Sequence, residues 1–573
     1  MSESAAHTFF AIPELLCLLS TYVETHDLTQ CILVCRDWSR QFQPRLWVDF
    51  DIDDCFINQL KTVPSTMALL TKHLGQIRAV NFWLADDTRL QLLIQGLPLQ
   101  LNEPSTDPGT LCTNLQCLIL QQFDETRLPL ISMPLVTLLG HNPCLTRLEM
   151  SCVFFEIDGA PAALAQLSHL QHLYIFSYNS RRTITNPVLL LQSCLALPEL
   201  TELRFVNMET CWDDGYQSTN MHEVEAVINR ASNARIAQGP AVKRIKTLQL
   251  PSHRQGHRNP LPLLFLKSSL LDLETCEIPW FRPDADLEEI EQVVREHCPN
   301  LKHLTCPFFF GLAELAEAMR AFIRGCSGLQ SFSSEGFNDG YDLAPMLILS
   351  ELVARHHTTL ETLELPNAFE VRSRDLQEVL SCCKQLKRFW VICNQENHML
   401  SGLAFQDISR SDWVCTELRE LGIALNRCRC KRNISGELEE EEKQDDPRVW
   451  LAASATKRAY QQIGRLEKLE VLAIDTARGL GTMAKAKDYL WDLTLSKGWL
   501  GEMAGLKNLR RLELRADFLS MMGQAEVEFM YDYWPELREI SFPCKIEHIH
   551  AEPHWQWLLY NLPQLTLSSV EEW

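Results

Sequence analysis

The sequence predicts an α/β fold, with a short N-terminal helical segment followed by a curved solenoid of parallel strands on the concave face and helices outside. Three observations predict it. An L-x-x-L-x-L pattern, with other apolar residues allowed, returns between about residues 77 and 537. Stretches preceding many copies are apolar at helical spacing. The first fifty residues hold helix-like runs too short to fold unaided.

In that opening stretch Pro13 fits the first turn of a helix, where its missing N–H costs nothing. Leu15, Leu16, Leu19 and Val23 then form an apolar stripe. Asp27, with Gln30 three residues on, reads as a capping box opening a second helix over Leu28 to Val34. A third helix would hold Trp38, Phe42 and Leu46. Such a segment must pack on the rest of the chain, on a partner, or on both.

The array follows. Clear copies are "NLQCLIL" at Asn114, "CLTRLEM" at Cys144, "HLQHLYI" at His169, "ELTELRF" at Glu199, "NLKHLTC" at Asn300 and "NLRRLEL" at Asn508. Looser copies begin at Ile77, Ile245, Leu270 and Leu329. Fifteen first anchors give a mean step of about 33 residues, while leucine-rich repeats usually run about 20–29. The excess sits in a few long gaps. The L-x-L core alternates, so its leucines point one way and the x residues the other. "DLEEIEQVVREHCPN" places Leu287, Ile290, Val293, Val294 and His297 on one helical face. Helix followed by short strand, repeated, builds the solenoid.

Cys-x-x-Leu precedes several strands, at Cys112, Cys298, Cys326, Cys383 and Cys415. These cysteines read as small apolar plugs where helix turns into strand. We divide the chain into a helical module at 8–50, a linker at 51–70, an array at 71–545 and a C-terminal cap at 546–573. Insertions fall at about 207–242, 426–448 and 476–505, the second carrying "RCRCKR" and then "ELEEEEKQDD".

The module at 8–50 resembles the F-box. The matching residues are Ile12-Pro13-Glu14-Leu15-Leu16, Tyr22-Val23, Asp27-Leu28, Val34-Cys35-Arg36, Trp38 and Leu46-Trp47. Ile12 stands where Leu is usual, and Glu14 follows Pro13 directly. An F-box followed by leucine-rich repeats is a known family arrangement. The resemblance implies a substrate receptor of an SCF-type cullin–RING ubiquitin ligase. Pro13, Leu15, Leu16, Leu19, Val34 and Trp38 would dock the Skp-family adaptor, the repeats would hold a protein substrate, and catalysis would belong to other subunits. The other reading is a repeat scaffold, not linked to ubiquitination, whose first helices only cap the array.

The x residues should line the substrate-binding face. Among them Tyr174, Arg204, Arg388 and Trp390 are of the types enriched in binding hot spots. The set runs from Arg147/Glu149 through Asp272/Glu274 to Glu539/Ser541 and holds eight acidic residues against four basic. That count favours a partner with a basic patch.

Composition limits the remaining classes. A net charge of -21 argues against sequence-independent nucleic-acid binding and against adhesion to anionic membranes. No run approaches the roughly 20 apolar residues of a membrane span. Phe9 to Leu19 lacks a preceding Lys or Arg and is broken by Pro13-Glu14, unlike a secretory signal. "SSVEEW" carries no prenylation or retention signal. The odd count of 21 scattered cysteines points to reduced thiols in the cytoplasm or nucleus. "GLGTMAK" lacks phosphate-loop spacing. Cys544, His548, His550 and His554 match no common zinc module, so no metal or cofactor is expected. Hydrolase, metalloprotease and kinase motif sets are absent, so the chain reads as a non-enzyme.

Overall fold

In a computed structural model of the chain, the described residues are 12–52, 72–85, 114–123, 135–156, 159–176, 193–206, 226, 230, 245–250, 266–278, 286–306, 309–366, 371–392, 402–426, 447–476, 493–514, 522–542 and 549–569. Within these ranges, positions 21, 24, 74–75, 268–269, 311–312, 335–336, 339–343, 496–498 and 550–551 are not described. The predicted linker beyond Ile52, most of the three insertions, and Cys112, Cys428, Cys430, Cys544, His548 and His550 lie outside the described residues.

The chain forms two compact units. The first comprises residues 1–257 and 264–273, and the second residues 258–263 and 274–573.

The first unit opens with three helices: α1 (Pro13–Ser20), α2 (Thr25–Cys31) and α3 (Arg36–Leu46). Leu16, Leu28 and Phe42 are buried together, with Leu19, Val23, Cys31, Ile32, Trp38 and Leu46 packed against them. α2 begins at Thr25, three residues before the capping-box prediction, and ends at Cys31 rather than Val34. Asp27 therefore lies inside the first turn, where its charge still complements the helix dipole. α3 leads directly into β1 (Asp49–Ile52), and Trp47 stacks on His73 with ring centroids 4.7 Å apart.

β2 (Ala79–Ala85), β3 (Cys117–Phe123), β4 (Arg147–Ser151), β5 (His172–Phe176), β6 (Glu202–Val206) and β7 (Thr247–Gln249) continue from β1, with a short helix α4 (Ala160–Ala165) before β5. Each strand pairs in parallel with its successor. β1 adds a strand ahead of the first copy read from sequence, with Phe50 at the register position of Val80 and Ile52 at that of Phe82.

The second unit carries β8 (Thr275–Glu277), α5 (Leu287–His297), β9 (His303–Cys306), β10 (Phe309–Phe310), α6 (Ala313–Gly325), β11 (Ser331–Ser334), β12 (Phe337–Asn338), α7 (Ala344–His356) and β13 (Thr362–Glu364). There follow α8 (Ser373–Cys382), β14 (Arg388–Val391), β15 (Leu403–Ala404), α9 (Phe405–Ile408), β16 (Glu420–Asn426), α10 (Pro447–Gly464), β17 (Val471–Thr476) and β18 (Arg511–Leu514). The last elements are α11 (Gln524–Tyr533), β19 (Glu539–Phe542), α12 (Pro553–Asn561) and β20 (Thr566–Ser569). The main strands again pair in parallel and in chain order; β10 and β12 form a separate pair, and β15 joins β16 alongside β14. Each unit is thus α/β, with an open parallel sheet.

One backbone device recurs where strands begin. Two consecutive N–H groups donate to a single carbonyl of the preceding repeat, as Lys302 and His303 do to Glu274, and Arg510 and Arg511 do to Glu470. This registers each repeat on the last without side chains. The inward leucines fill the core, with Leu301, Leu304, Leu360, Leu363, Leu509 and Leu512 all buried. α5 follows its predicted face: Ile290, Val293 and Val294 are buried, and the Asp286 carboxylate accepts from the N–H groups of Glu288 and Glu289. Ion pairs tie neighbouring helices, Arg324 to Glu291 at 3.0 Å and Arg320 to Glu351 at 3.2 Å.

Cys298, Cys326, Cys383 and Cys415 are buried as plugs ahead of the strands. Burial pushes the thiols of Cys298, Cys383 and Cys415 up to about 12. Trp534 caps α11 as Cys298 caps α5, and its indole N–H donates to the Met503 carbonyl at 3.1 Å.

Two stretches depart from the sequence reading. The copy placed at Leu270 begins instead at Leu273, since Cys276 pairs with Leu304 and takes the second leucine position. Thr275 and Glu277, not Asp272 and Glu274, are therefore the outward residues of that strand. The predicted C-terminal cap holds a further helix and strand: Leu562 takes the place of Trp534 at the helix end, Leu567 pairs with Ile540, and β20 pairs with β19.

Candidate functional site

Strand alternation places two rows of side chains on the open face of each sheet. In the first unit one row contains Cys117, Arg147, His172, Glu202 and Thr247. The other contains Ile119, Glu149, Tyr174, Arg204 and Gln249.

Tyr174 stands at the centre of a tight cluster. The guanidinium carbons of Arg147 and Arg204 lie 5.0 and 5.3 Å from its ring centroid, within cation–π range. Arg147 donates through Nε and Nη2 to Glu149 Oε1 at 2.9 and 2.5 Å. Arg204 Nε donates to Glu202 Oε1 at 2.6 Å, and His172 Nδ1 donates to Glu202 Oε2 at 2.8 Å. Tyr174 also hydrogen-bonds Glu202. Burial opposes ionisation of Glu202, but bonds from His172, Tyr174 and Arg204 outweigh it and hold the carboxyl below its usual range. Burial and the bond to Glu202 push the Tyr174 phenol up.

In the second unit Arg388 is held between Glu364 at 2.5 Å and Glu420 at 2.6 Å, with its guanidinium carbon 5.5 Å from the Trp390 ring. The indole of Trp390 lies against Gly422 on the neighbouring strand. Further along, Arg511 approaches Glu513 and Glu539 at 3.5 and 3.6 Å. The four substrate-face residues chosen from sequence therefore fall into two separate clusters, Tyr174 with Arg204 and Arg388 with Trp390.

Sequence could not show how the charges are turned. In the first cluster the carboxylates are sunk, Glu149 at 16% and Glu202 at 14% side-chain exposure, while Arg147 and Arg204 remain 46% and 42% exposed. The eight-to-four count of acids over bases therefore misreads what this stretch presents.

The helical segment sorts its predicted contact residues into two groups. Pro13 and Val34 are exposed, and Leu15 is half-buried. Leu16 is buried in the core of the three helices, so it is corrected from a contact residue to a packing residue; the α1 stripe points inward at that position. Leu19 and Trp38 pack against the same core. Exposed apolar residues missed in the sequence are Leu33 at 78% and, to lesser extents, Leu18 and Ile12, together with Tyr22. Leu33 and Val34 follow α2 in a turn closed by bonds from their N–H groups to Gln30 and Cys31.

Among the described residues no group of three or more His, Cys, Asp or Glu could hold a metal, and no helix is long and apolar enough to cross a membrane. His554, the one described member of the late Cys/His group, stands 5.6 Å from Trp555 between ring centroids.

The fold and its open face define an α/β repeat protein built on parallel strands. No family model matches the chain, and no curated protein matches it. Among solved structures it is similar to the complex of Rad7 and Elc1 in yeast, at 12% identity and a TM-score of 0.30, over 90% of this chain and 98% of that one. A likeness at that level carries no argument about what this chain binds.

Proposed function

We propose that this chain is a non-enzymatic substrate receptor of an SCF-type ubiquitin ligase. Its three N-terminal helices dock a Skp-family adaptor, and through it a cullin–RING ligase, while its repeats hold a protein substrate. The observation that carries the reading is the exposure left after the three helices have formed their own core. Leu33 and Val34 remain 78% and 63% exposed in a segment that resembles the F-box in residue order. Large apolar side chains so placed are what a helical adaptor would cover. Buried thiols fit a reducing compartment, the cytoplasm or nucleus.

The cap reading has its own observation: α3 runs into β1, which pairs with β2. A segment can close the array and still offer its outer residues. Co-purification of the full chain with a Skp-family adaptor tests the proposal. Wild type should capture the adaptor, and Leu33→Asp with Val34→Asp should not, at unchanged helical content and melting temperature. Capture by neither protein leaves the cap reading. Leu16 is unsuitable for this test, since substituting it disturbs the core.

A further inference from the structure

We infer that the face of β4, β5 and β6 around Tyr174 receives an acidic segment of the partner protein, one rich in Asp and Glu. This rests on the reading of the repeats as the cargo site and names the chemistry of the cargo.

A guanidinium carries five N–H donors in a planar fork and accepts nothing. Among the described residues, Arg147 directs its Nε–Nη2 edge to Glu149, and Arg204 does the same to Glu202. The remaining N–H groups belong to side chains 46% and 42% exposed. The two carboxylates, at 16% and 14%, lie beneath them, with Glu149 Oε1 engaged by Arg147 and both Glu202 oxygens engaged by Arg204 and His172. What reaches a partner is therefore an excess of donors, and carboxylates match paired guanidinium edges best.

Charge along the array selects the same stretch. From β2 to β7 the two outward rows hold two carboxylates against two arginines and His172. In the second unit Glu277, Glu364, Glu420, Glu513 and Glu539 face two arginines and His303. Arg388 is there bracketed by two acids, so its charge is overcompensated.

Spacing fits an extended peptide. Both guanidinium carbons lie near the Tyr174 centroid, so they stand no more than about 10 Å apart. An extended chain rises about 3.3 Å per residue, so acids two or three positions apart reach both. Ile119, half-exposed one strand beyond Glu149, offers an apolar contact beside the charges.

The test uses the full chain and a fluorescein-labelled poly-Glu peptide, with poly-Gln and poly-Lys peptides as comparisons, read by polarisation. The expected result is binding of poly-Glu alone, weakened by salt. Arg147→Gln with Arg204→Gln should lower that affinity about tenfold or more. Arg388→Gln with Arg511→Gln should leave it within about twofold. Equal binding of poly-Gln, preference for poly-Lys, or an equal loss in the second-unit variant would overturn the inference. So would tighter binding of a phosphoserine peptide lacking Asp and Glu. The wild-type comparisons stand even if the double variant fails to fold. Adaptor capture is measured separately: its failure removes the ligase reading and leaves the peptide result intact, and the reverse holds equally.

Discussion

Trp390 and Gly422 are directly paired neighbours on β14 and β16, and the indole of one lies on the backbone of the other. A Cβ added at Gly422 would fall 2.6 and 2.7 Å from Trp390 ring carbons, closer than real contacts allow. The glycine is the seat of the ring. Gly422→Ala should therefore cost roughly 1–3 kcal/mol in denaturant unfolding, the range for overpacking. In a Trp390→Ala background the same change should cost much less, because the obstacle is gone. Additive costs would mean that the ring does not rest there.

His356 should make stability depend on pH. It is buried, its Nδ1 accepts the Leu329 N–H at 3.3 Å, and its Nε2 donates to the Ile323 carbonyl at 3.1 Å. Only the neutral ring can do both. Burial pulls its pKa down, the bond to Ile323 works against this, and the nearby Arg355 adds to it while Glu351 opposes. The folded state thus binds the proton less readily than the unfolded chain. Stability from this site is fully present above the ordinary imidazole value of about 6.5 and is lost progressively as pH falls below it, through the lowered value of the folded state. Asn142 makes the first of these bonds in the first unit, accepting the Leu115 N–H at 2.9 Å, while its amide donates to the Leu138 carbonyl four residues back at 2.8 Å. His356→Asn should therefore fold and show a flatter dependence of melting temperature between about pH 7 and 5. An unchanged profile would assign the dependence elsewhere.

The buried cysteines should be chemically silent in the folded protein. With thiols pushed up to about 12, Cys298, Cys383 and Cys415 hold almost no thiolate at neutral pH and are shielded as well. Cys35 and Cys144 are exposed. Maleimide labelling read by peptide mass spectrometry should modify Cys35 and Cys144 within minutes and the three buried thiols only on unfolding. Early labelling of Cys298 would contradict its place in the core.

These cases show what was legible in the sequence. The leucine anchors and cysteine plugs recur at fixed offsets, so helix, turn and strand could be read for most copies. The reading slipped by three residues at Leu270 because Cys276, a small hydrophobe, occupies a leucine site. The last repeat is faintly marked, because Ser569 stands opposite Phe542 where a third apolar anchor is usual and Leu562 takes the plug position held by Trp534 one repeat earlier. Strand alternation placed Tyr174, Arg204, Arg388 and Trp390 at outward register positions, yet how their side chains turn was not available. Whether Glu202 or Arg204 reaches solvent depends on bonds within β6 and between β5 and β6, which no local spacing encodes. In the same way, helical spacing placed Leu16 on an apolar stripe but did not say that the stripe faces Leu28 and Phe42.

A final prediction concerns two glycines in close approach. Gly464 ends α10, and a Cβ there would run into the Glu502 carbonyl; one at Gly505 would run into the Gly464 carbonyl. The short 3₁₀ turn Leu500–Met503 is thereby brought against the helix end, with Leu500 and Met503 buried where other repeats place a longer helix. Backbone cannot yield as a flexible side chain can, so Gly464→Ala should destabilise by roughly 1–3 kcal/mol or more. Gly328 is the control, with nothing within 4 Å of an added Cβ. Gly328→Ala should be neutral or stabilise by about 0.4–1 kcal/mol, through the entropy of the unfolded chain. Chemical denaturation of the three proteins separates these outcomes. Equal effects at both positions would mean that the cost is one of lost glycine flexibility rather than of the backbone contact between α10 and the turn.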